Sequence, residues 1–367
     1  MQLPEASVTQ LTGDLSICRI LNGMWQVSGG HGDIDPEAAV ESMVAYMDAG
    51  FTTWDLADHY GPAEDFVGEF RRRLASTRGA EALDRVQALT KWVPPPGPMT
   101  RQVVEESVAL SLRRMDVEAI DLLQFHWWDY ADSSYLDALT YLAHLQHQGK
   151  IRHLGLTNFE TERLQRISAS GVTVVSNQVQ YSLIDRRPEV RMAQLCAEHD
   201  VQILAYGTLC GGLLSDAYVG SPEPAHRELN TASLMKYKRT IDTWGGWELF
   251  QELLATIKRI AGKHGVSVAN VAVRYVLDRP QVAGAIVGVR LGVSDRRADN
   301  ARVFDFALDA GDHGEIEAVL ERSRDLFQLI GDCGDEYRGY GVRSRPEQNR
   351  RLARRLAWTI RGPQMAP

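Results

Sequence analysis

Short apolar runs rich in β-branched and aromatic residues alternate with longer helix-periodic stretches along most of the chain, and this alternation limits the folds open to it. Eight strand candidates can be read: Leu21–Trp25, Phe51–Asp55, Val86–Lys91, Ile120–Phe125, His153–Leu156, Val174–Val179, Val201–Tyr206 and Gly284–Gly288. Helical spacing of apolar residues falls at Pro36–Ala49, Ala63–Leu74, Thr100–Met115, Ser134–Gln148, Thr161–Ser168, Pro188–His199, Glu248–His264 and Ser267–Leu277. Strands alternating with helices imply parallel βαβ units. Eight such strands with no sign of a second domain favour a closed α/β barrel, the (β/α)8 or TIM barrel, over an open sheet. Such barrels run to roughly 250 residues or more as one domain. The barrel is expected over 1–330, with 331–367 a C-terminal loop and basic tail that is not an independent domain.

Local signals agree with the helix assignments. Asp35 before Pro36 reads as an N-cap followed by proline at the first helical position. Gly50 and Gly149 stand where two helices should stop. A hairpin is expected around Thr12-Gly13-Asp14. The stretch Gly207–Gly246 reads as a long irregular loop after the seventh strand, and loops of that length usually carry function or move.

A composition of 44% hydrophobic and 24% charged residues is that of a globular protein. The formal charge of −8 gives the molecule as a whole no electrostatic reason to seek nucleic acid. The charge is uneven, because Gly341–Pro367 holds seven arginines and one acid, Glu347. Leu352, Leu356 and Ile360 mark a helical stripe there. A charged helix docked on the acidic barrel or a loose end explains this tail more simply than partner, membrane or nucleic-acid binding. The first residues have neither a basic start nor an apolar stretch, and no apolar run approaches the roughly 20 residues that span a bilayer. Cys18, Cys196, Cys210 and Cys333 are scattered without metal or disulfide spacing. A cytoplasmic protein with reduced thiols and no membrane partner is expected; oligomeric state is not legible.

In a barrel the chemistry sits at the carboxyl ends of the strands. Asp55 ends the second candidate strand, Tyr60 follows in its loop, Lys91 ends the third and His126 follows the fourth. Singly, each has a plain reading: a loop-capping aspartate, a rim aromatic, a paired or solvated lysine, a satisfied core histidine. Together, at three successive strand ends, they form a catalytic constellation. A phenol with an ordinary pKa of about 10 is a poor acid near neutrality, and a buried ammonium beside it would lower that value. Asp55 would keep the ammonium charged, and His126 would hydrogen-bond the substrate oxygen and polarise it. The hydride that such a site needs can come from no side chain, so a cofactor is implied.

Other chemistries find less support. Gly30-His31-Gly32 lacks the third glycine of a dinucleotide fingerprint, and neither a Gly-x-Ser-x-Gly elbow nor a His-Glu-x-x-His motif is present. His126 with Asp129, or Asp58 with His59, gives no full ligand set for a metallohydrolase, and His144 and His147 suit a helix surface. No metal is expected.

The run Asp55–Gly61 (Asp-x-x-Asp-x-Tyr-Gly), continuing to Glu64 and Gly68 and completed by Lys91 and His126, resembles the signature of the aldo-keto reductase superfamily. The likeness extends from about Leu21 to Phe306, on the side of the longer bacterial and plant enzymes and the channel β-subunits. The resemblance implies hydride transfer between NADP(H), or alternatively NAD(H), and a small-molecule carbonyl or alcohol, with Tyr60 as general acid and base. It implies Thr157, Asn158 and Gln178 at the nicotinamide amide and Tyr206 stacked on its ring. The backbone at Leu209, Gly211 and Gly212 is implied at the pyrophosphate, and Arg290, Arg296 and Asn300 at the adenosine 2′-phosphate. Two solvated arginines near a helix start remain the alternative reading of Arg290 and Arg296. Leu291 stands where relatives often carry a hydroxyl, and Leu214–Tyr218 replaces a Thr-Gly-Lys-Tyr common in relatives, so no lysine contact is inferred there. Trp25, Trp92, Trp127 and Trp128 adjoin the catalytic strand ends, as walls of a substrate pocket or as rim packing; Trp244 and Trp247 are read in the long seventh loop. The segment from Gly331 is expected as a C-terminal loop over the pocket. The alternative function is a nicotinamide-nucleotide-binding regulatory or sensor subunit with little turnover.

Overall fold

The computed structural model describes residues 2–95 and 97–338. Strands β1 (Val8–Thr12) and β2 (Leu15–Cys18) form the antiparallel hairpin expected around Thr12–Asp14. The remaining strands are β3 (Ile20–Gly23), β4 (Thr53–Asp55), β5 (Gln87–Trp92), β6 (Ile120–Phe125), β7 (Ile151–Thr157), β8 (Ser176–Gln180), β9 (Gln202–Tyr206) and β10 (Val282–Gly288). They close in sequence order into an eight-stranded parallel barrel, with β10 returning to β3. The (β/α)8 architecture read from the alternation is the architecture of the chain.

Two apolar layers hold it. Inside the barrel, Leu21, Leu89, Leu122, Leu204 and Ala283 cluster with Leu11, Leu15 and Ile17, so the hairpin contributes to the inner core. The much larger layer lies between the strands and the surrounding helices and includes Trp54, Phe70, Phe125, Phe159 and Phe250. Asp35 caps the first helix, Pro36–Asp48, by accepting from Ala38 N at 2.8 Å, as the sequence suggests. Gly50 and Gly149 follow their helices with φ of +98° and +74°, values at which other residues are strained.

Several boundaries differ from the sequence reading. β3 stops at Gly23, and Trp25 lies in a 3-10 turn, Met24–Ser28. The helix expected over Pro188–His199 is two short ones, Arg187–Val190 and Met192–Glu198, broken at Arg191. The stretch Gly207–Gly246 is not irregular throughout: Ala232–Trp244 is a helix capped by Thr231, burying Tyr237, Ile241 and Trp244. Trp247 opens the following helix and is buried, as is Trp244. Helices Ala310–Leu320 and Leu326–Ile330 follow the last strand and have no counterpart in the sequence reading. All four cysteines are buried free thiols. No helix among the described residues is long and apolar enough to cross a membrane. The basic tail with Leu352, Leu356 and Ile360 lies outside the described residues.

Helix Ala63–Arg78, which follows the Tyr60 loop, packs closely on helix Arg101–Met115. A Cβ on Gly68 would lie 2.1 Å from the Arg114 carbonyl oxygen, so only glycine allows this approach. Glu64 one turn earlier accepts from Thr90 Oγ1 at 2.8 Å and faces Arg114 at 3.4 Å, which pins the same helix to β5. Gly68→Ala is expected to cost about 1–3 kcal/mol in urea unfolding by forcing the helices apart. Gly262→Ala, on an exposed helix surface with open space around it, should be neutral or stabilising by up to about 1 kcal/mol. Similar effects at the two positions would contradict the close-packing account.

Candidate active site

A large cavity of about 1620 Å³ opens at the carboxyl ends of the strands and is lined by Asp55, Tyr60, Lys91 and His126. Its foundation is a buried ion pair. Lys91 Nζ donates to Asp55 Oδ2 at 2.6 Å and to the Leu56 carbonyl at 3.0 Å, with both charged side chains 4% exposed. The other carboxylate oxygen of Asp55 accepts from Gln178 Nε2 at 2.7 Å and from Gln124 Nε2 at 3.1 Å. Gln178 Nε2 also donates to Gln124 Oε1 at 2.7 Å. Strands β4, β5, β6 and β8 are thereby tied together through one carboxylate. Burial pulls the Lys91 ammonium below its ordinary pKa, and Asp55 opposes that shift.

Tyr60 stands over this pair, its ring centroid 5.1 Å from Lys91 Nζ. The expectation that the ammonium lowers the phenol pKa is not met. Burial first, and then the Asp55 and Asp58 carboxylates, hold Tyr60 well above its ordinary value. Lys91 is not a lone cation: its charge is balanced by Asp55 at 2.6 Å, so the phenol feels a dipole rather than an ammonium. Tyr60 therefore keeps its proton at neutral pH and is in the correct form to donate it. Trp25, 5.0 Å away edge to face, fixes the ring from the other side.

His126 Nδ1 lies 3.0 Å from the Thr157 carbonyl, which can only accept, so Nδ1 carries the proton. Nε2 is buried without a partner and offers a lone pair. Burial, with help from Arg338, pushes the imidazole down to about 3, so this neutral tautomer holds throughout the physiological range. Trp128 packs edge-on at 4.4 Å.

Of the four tryptophans proposed for the pocket, Trp25 and Trp128 line the cavity and Trp92 and Trp127 do not. Trp92 packs on Phe125 at 5.4 Å, and Trp127 lies 6.0 Å from Phe125 with its Nε1 bonded to the Asp129 and Asp132 carbonyls. The cause is strand pleat: neighbours point to opposite faces, so Trp92 faces the helices because Lys91 faces the barrel axis.

The cofactor candidates Thr157, Asn158, Gln178, Tyr206, Leu209, Gly211, Gly212, Arg290, Arg296 and Asn300 all border the same cavity. Gln178 already donates to two partners within the protein, which leaves its Oε1 for a ligand. Asn158 has φ of +60°, and its Oδ1 accepts from the Tyr206 hydroxyl at 2.8 Å. Leu291 is fully buried and does not line the cavity. Arg290 and Arg296 are exposed and have no carboxylate partner among the described residues; Arg290 Nη2 bonds the His31 carbonyl at 3.2 Å. Their neighbour Arg297 is instead tied to Asp295 at 2.6 Å.

The segment from Gly331 does reach the cavity. Arg187, only 2% exposed and paired to Asp185, binds the Asp332 carbonyl and the Glu336 carboxylate at 3.0 and 2.9 Å. A Cβ on Gly334 would lie 2.1 Å from the Asn158 carbonyl oxygen, so the chain passes against this wall of the cavity only as glycine. Glu336 and Tyr337 thus join the lining, as does Lys236 from helix Ala232–Trp244. Gln124 had a sequence signal, a lone amide two residues before His126 in an apolar strand. Glu336 and Tyr337 lie in the segment expected over the pocket, without a signal of their own; Lys236 has none, since only tertiary packing brings it here.

Because His126 is neutral when folded and must bind a proton in the unfolded chain below about pH 6.5, stability falls with acid. The loss runs from there down to about pH 3, the folded value, and is absent above pH 6.5. His126→Asn should show a shallower fall in melting temperature across that window than the parent chain; parallel curves would contradict a buried neutral imidazole.

The aldo/keto reductase family profile matches residues 19–321. The chain is 26% identical over 319 residues to the aldo-keto reductase YhdN of Bacillus subtilis, covering 83% of this chain and 90% of that one. It is 29% identical over 259 residues to flagellar radial spoke protein 5 of Chlamydomonas reinhardtii, but spans only about half, 49%, of that protein. Among solved structures, a glycerol dehydrogenase of Gluconobacter oxydans aligns with a TM-score of 0.70 at 25% identity, over 90% of this chain and 98% of the other. With the profile spanning nearly the whole barrel, this chain is a member of the aldo/keto reductase family.

Proposed function

We propose that this protein transfers a hydride between NADP(H) and an aldehyde or ketone, with Tyr60 as the proton donor. The observation that carries the reading is the pairing of a protonated phenol with an orphaned imidazole nitrogen on one cavity, above a fixed Lys91–Asp55 ion pair. A dinucleotide fits the residues present. The cavity is lined by Tyr60, His126, Tyr206, the Gly211–Gly212 turn, Arg290 and Arg296, and these two arginines have no acid partner among the described residues. Two planar guanidinium forks there suit a phosphate on the ribose, which favours NADP over NAD.

When bound, the nicotinamide supplies the hydride to the carbonyl carbon. Tyr60 gives its proton to the carbonyl oxygen, and the phenolate left behind sits close to the Lys91 ammonium. The product oxygen is now a hydroxyl donor, and the lone pair of His126 Nε2 accepts from it. His126 therefore holds the alcohol form rather than polarising the carbonyl as a donor, the role expected from sequence. Trp25 and Trp128 wall the reacting end and exclude water.

Tyr60→Phe removes the acid without touching a nucleotide contact. Carbonyl reduction should fall about 100-fold or more, with NADPH affinity, read by tryptophan quenching, nearly unchanged. Full activity would exclude Tyr60 as the acid. Arg290→Ala with Arg296→Ala should weaken NADPH at least about 10-fold more than NADH in the same titration; equal losses would exclude a 2′-phosphate site.

A further inference from the structure

Helix Ala232–Trp244 crosses the mouth of the cavity: Ser233 Oγ lies 3.3 Å from His31 Nε2, and Tyr237 packs on Gly207. Between these contacts, Lys236 enters the cavity wall. Its Nζ lies 4.9, 5.1 and 4.7 Å from the ring centroids of Tyr206, Tyr237 and Tyr337. It donates one hydrogen bond, to the Tyr337 hydroxyl at 2.5 Å, and has no carboxylate within ion-pair distance among the described residues. Lys238, two positions along the same helix, shows the contrast, with Glu223 and Asp242 each at 2.5 Å. Glu336, the acid on the same wall, gives one oxygen to Arg187 at 2.9 Å; its other oxygen lies 3.3 Å from the Tyr206 hydroxyl, whose single proton goes to Asn158.

Three ring faces attract the ammonium, and two of its three N–H donors have no partner among the described residues. The Tyr337 hydroxyl, 3.1 Å from that of Tyr206, stands beside it as a second polar group. The position is near the reacting end. The Tyr337 ring that Lys236 touches is itself 6.4 Å from the His126 ring, whereas the arginines assigned to the 2′-phosphate lie on the loop after β10.

We propose that Lys236, with the Tyr337 hydroxyl, selects carbonyl substrates that carry a carboxylate or phosphate a few bonds from the reacting carbon. The anion takes the unpartnered ammonium donors while the carbonyl oxygen meets Tyr60. This rests on the carbonyl-reductase reading above. Lys236 has no part in the proton or hydride transfer; it is a specificity-determining residue.

The test compares 4-carboxybenzaldehyde with its neutral isostere 4-formylbenzamide, using NADPH and the full-length parent, Lys236→Met and Lys236→Arg proteins. The parent should favour the carboxylate by about 10-fold or more in kcat/KM. Lys236→Met should abolish that preference through KM, with kcat and NADPH affinity little changed, and Lys236→Arg should keep most of it. The preference should also shrink as salt is raised. An unchanged preference in Lys236→Met overturns the proposal, as does a loss of NADPH affinity that lowers both substrates alike, since the lysine then serves the dinucleotide. If the parent turns over neither aldehyde, the reductase reading fails. Equilibrium binding of the two probes to the NADPH-loaded proteins then decides on Lys236 separately: a charge preference lost in Lys236→Met supports it, and none in the parent overturns it.

Discussion

The buried Lys91–Asp55 pair is the interaction on which the rest of the site depends. An ammonium removed from water is tolerable only beside a fixed counter-charge, and removing one member of such a pair typically costs about 3–5 kcal/mol. Here the counter-charge is itself fixed, because Gln124 and Gln178 donate to the carboxylate oxygen that Lys91 does not use. The pair therefore does two things at once. It ties four barrel strands at their carboxyl ends, and it sets the electrostatics beneath Tyr60. A lysine whose charge is balanced in this way leaves the phenol protonated.

Around that centre the barrel separates tasks by direction. Side chains that face the axis, Asp55, Lys91, His126 and Gln178, line the cavity; their immediate neighbours Trp54, Trp92 and Trp127 face outward and fill the main core. The loops supply what the strands cannot. Residues after β9 and β10 line the long part of the cavity, and the stretch from Gly331 to Arg338 is held against it by Arg187 from below and by Arg338 on the Asn158 carbonyl. The cavity is thus partly built by a segment far in sequence from every strand end.

The same geometry decides which parts of the site are legible in the sequence. Strand ends are a one-dimensional signal, so the positions of Asp55, Tyr60, Lys91 and His126 along the chain suffice to group them. The two tryptophans that fall outside the pocket are adjacent to residues that belong to it, and the period-two alternation that excludes them is itself a sequence property. Helix Ala232–Trp244 is also within reach, since Leu234, Tyr237, Ile241 and Trp244 recur at helical spacing after a Thr231 cap. The tautomer of His126 and the height of the Tyr60 pKa are not: each depends on which atom a neighbour turns toward the ring or on how a charge is balanced. Lys236 and Tyr337 come from distant segments whose meeting no local pattern records.

The central claim is direct hydride delivery to a carbonyl carbon at this site, and isotope transfer tests it most directly. Reduction of an aldehyde by the full-length protein with NADPH doubly deuterated at C4 should give an alcohol with one deuterium on its carbinol carbon, measured by mass spectrometry and proton NMR. An alcohol with no deuterium at that carbon would contradict the account.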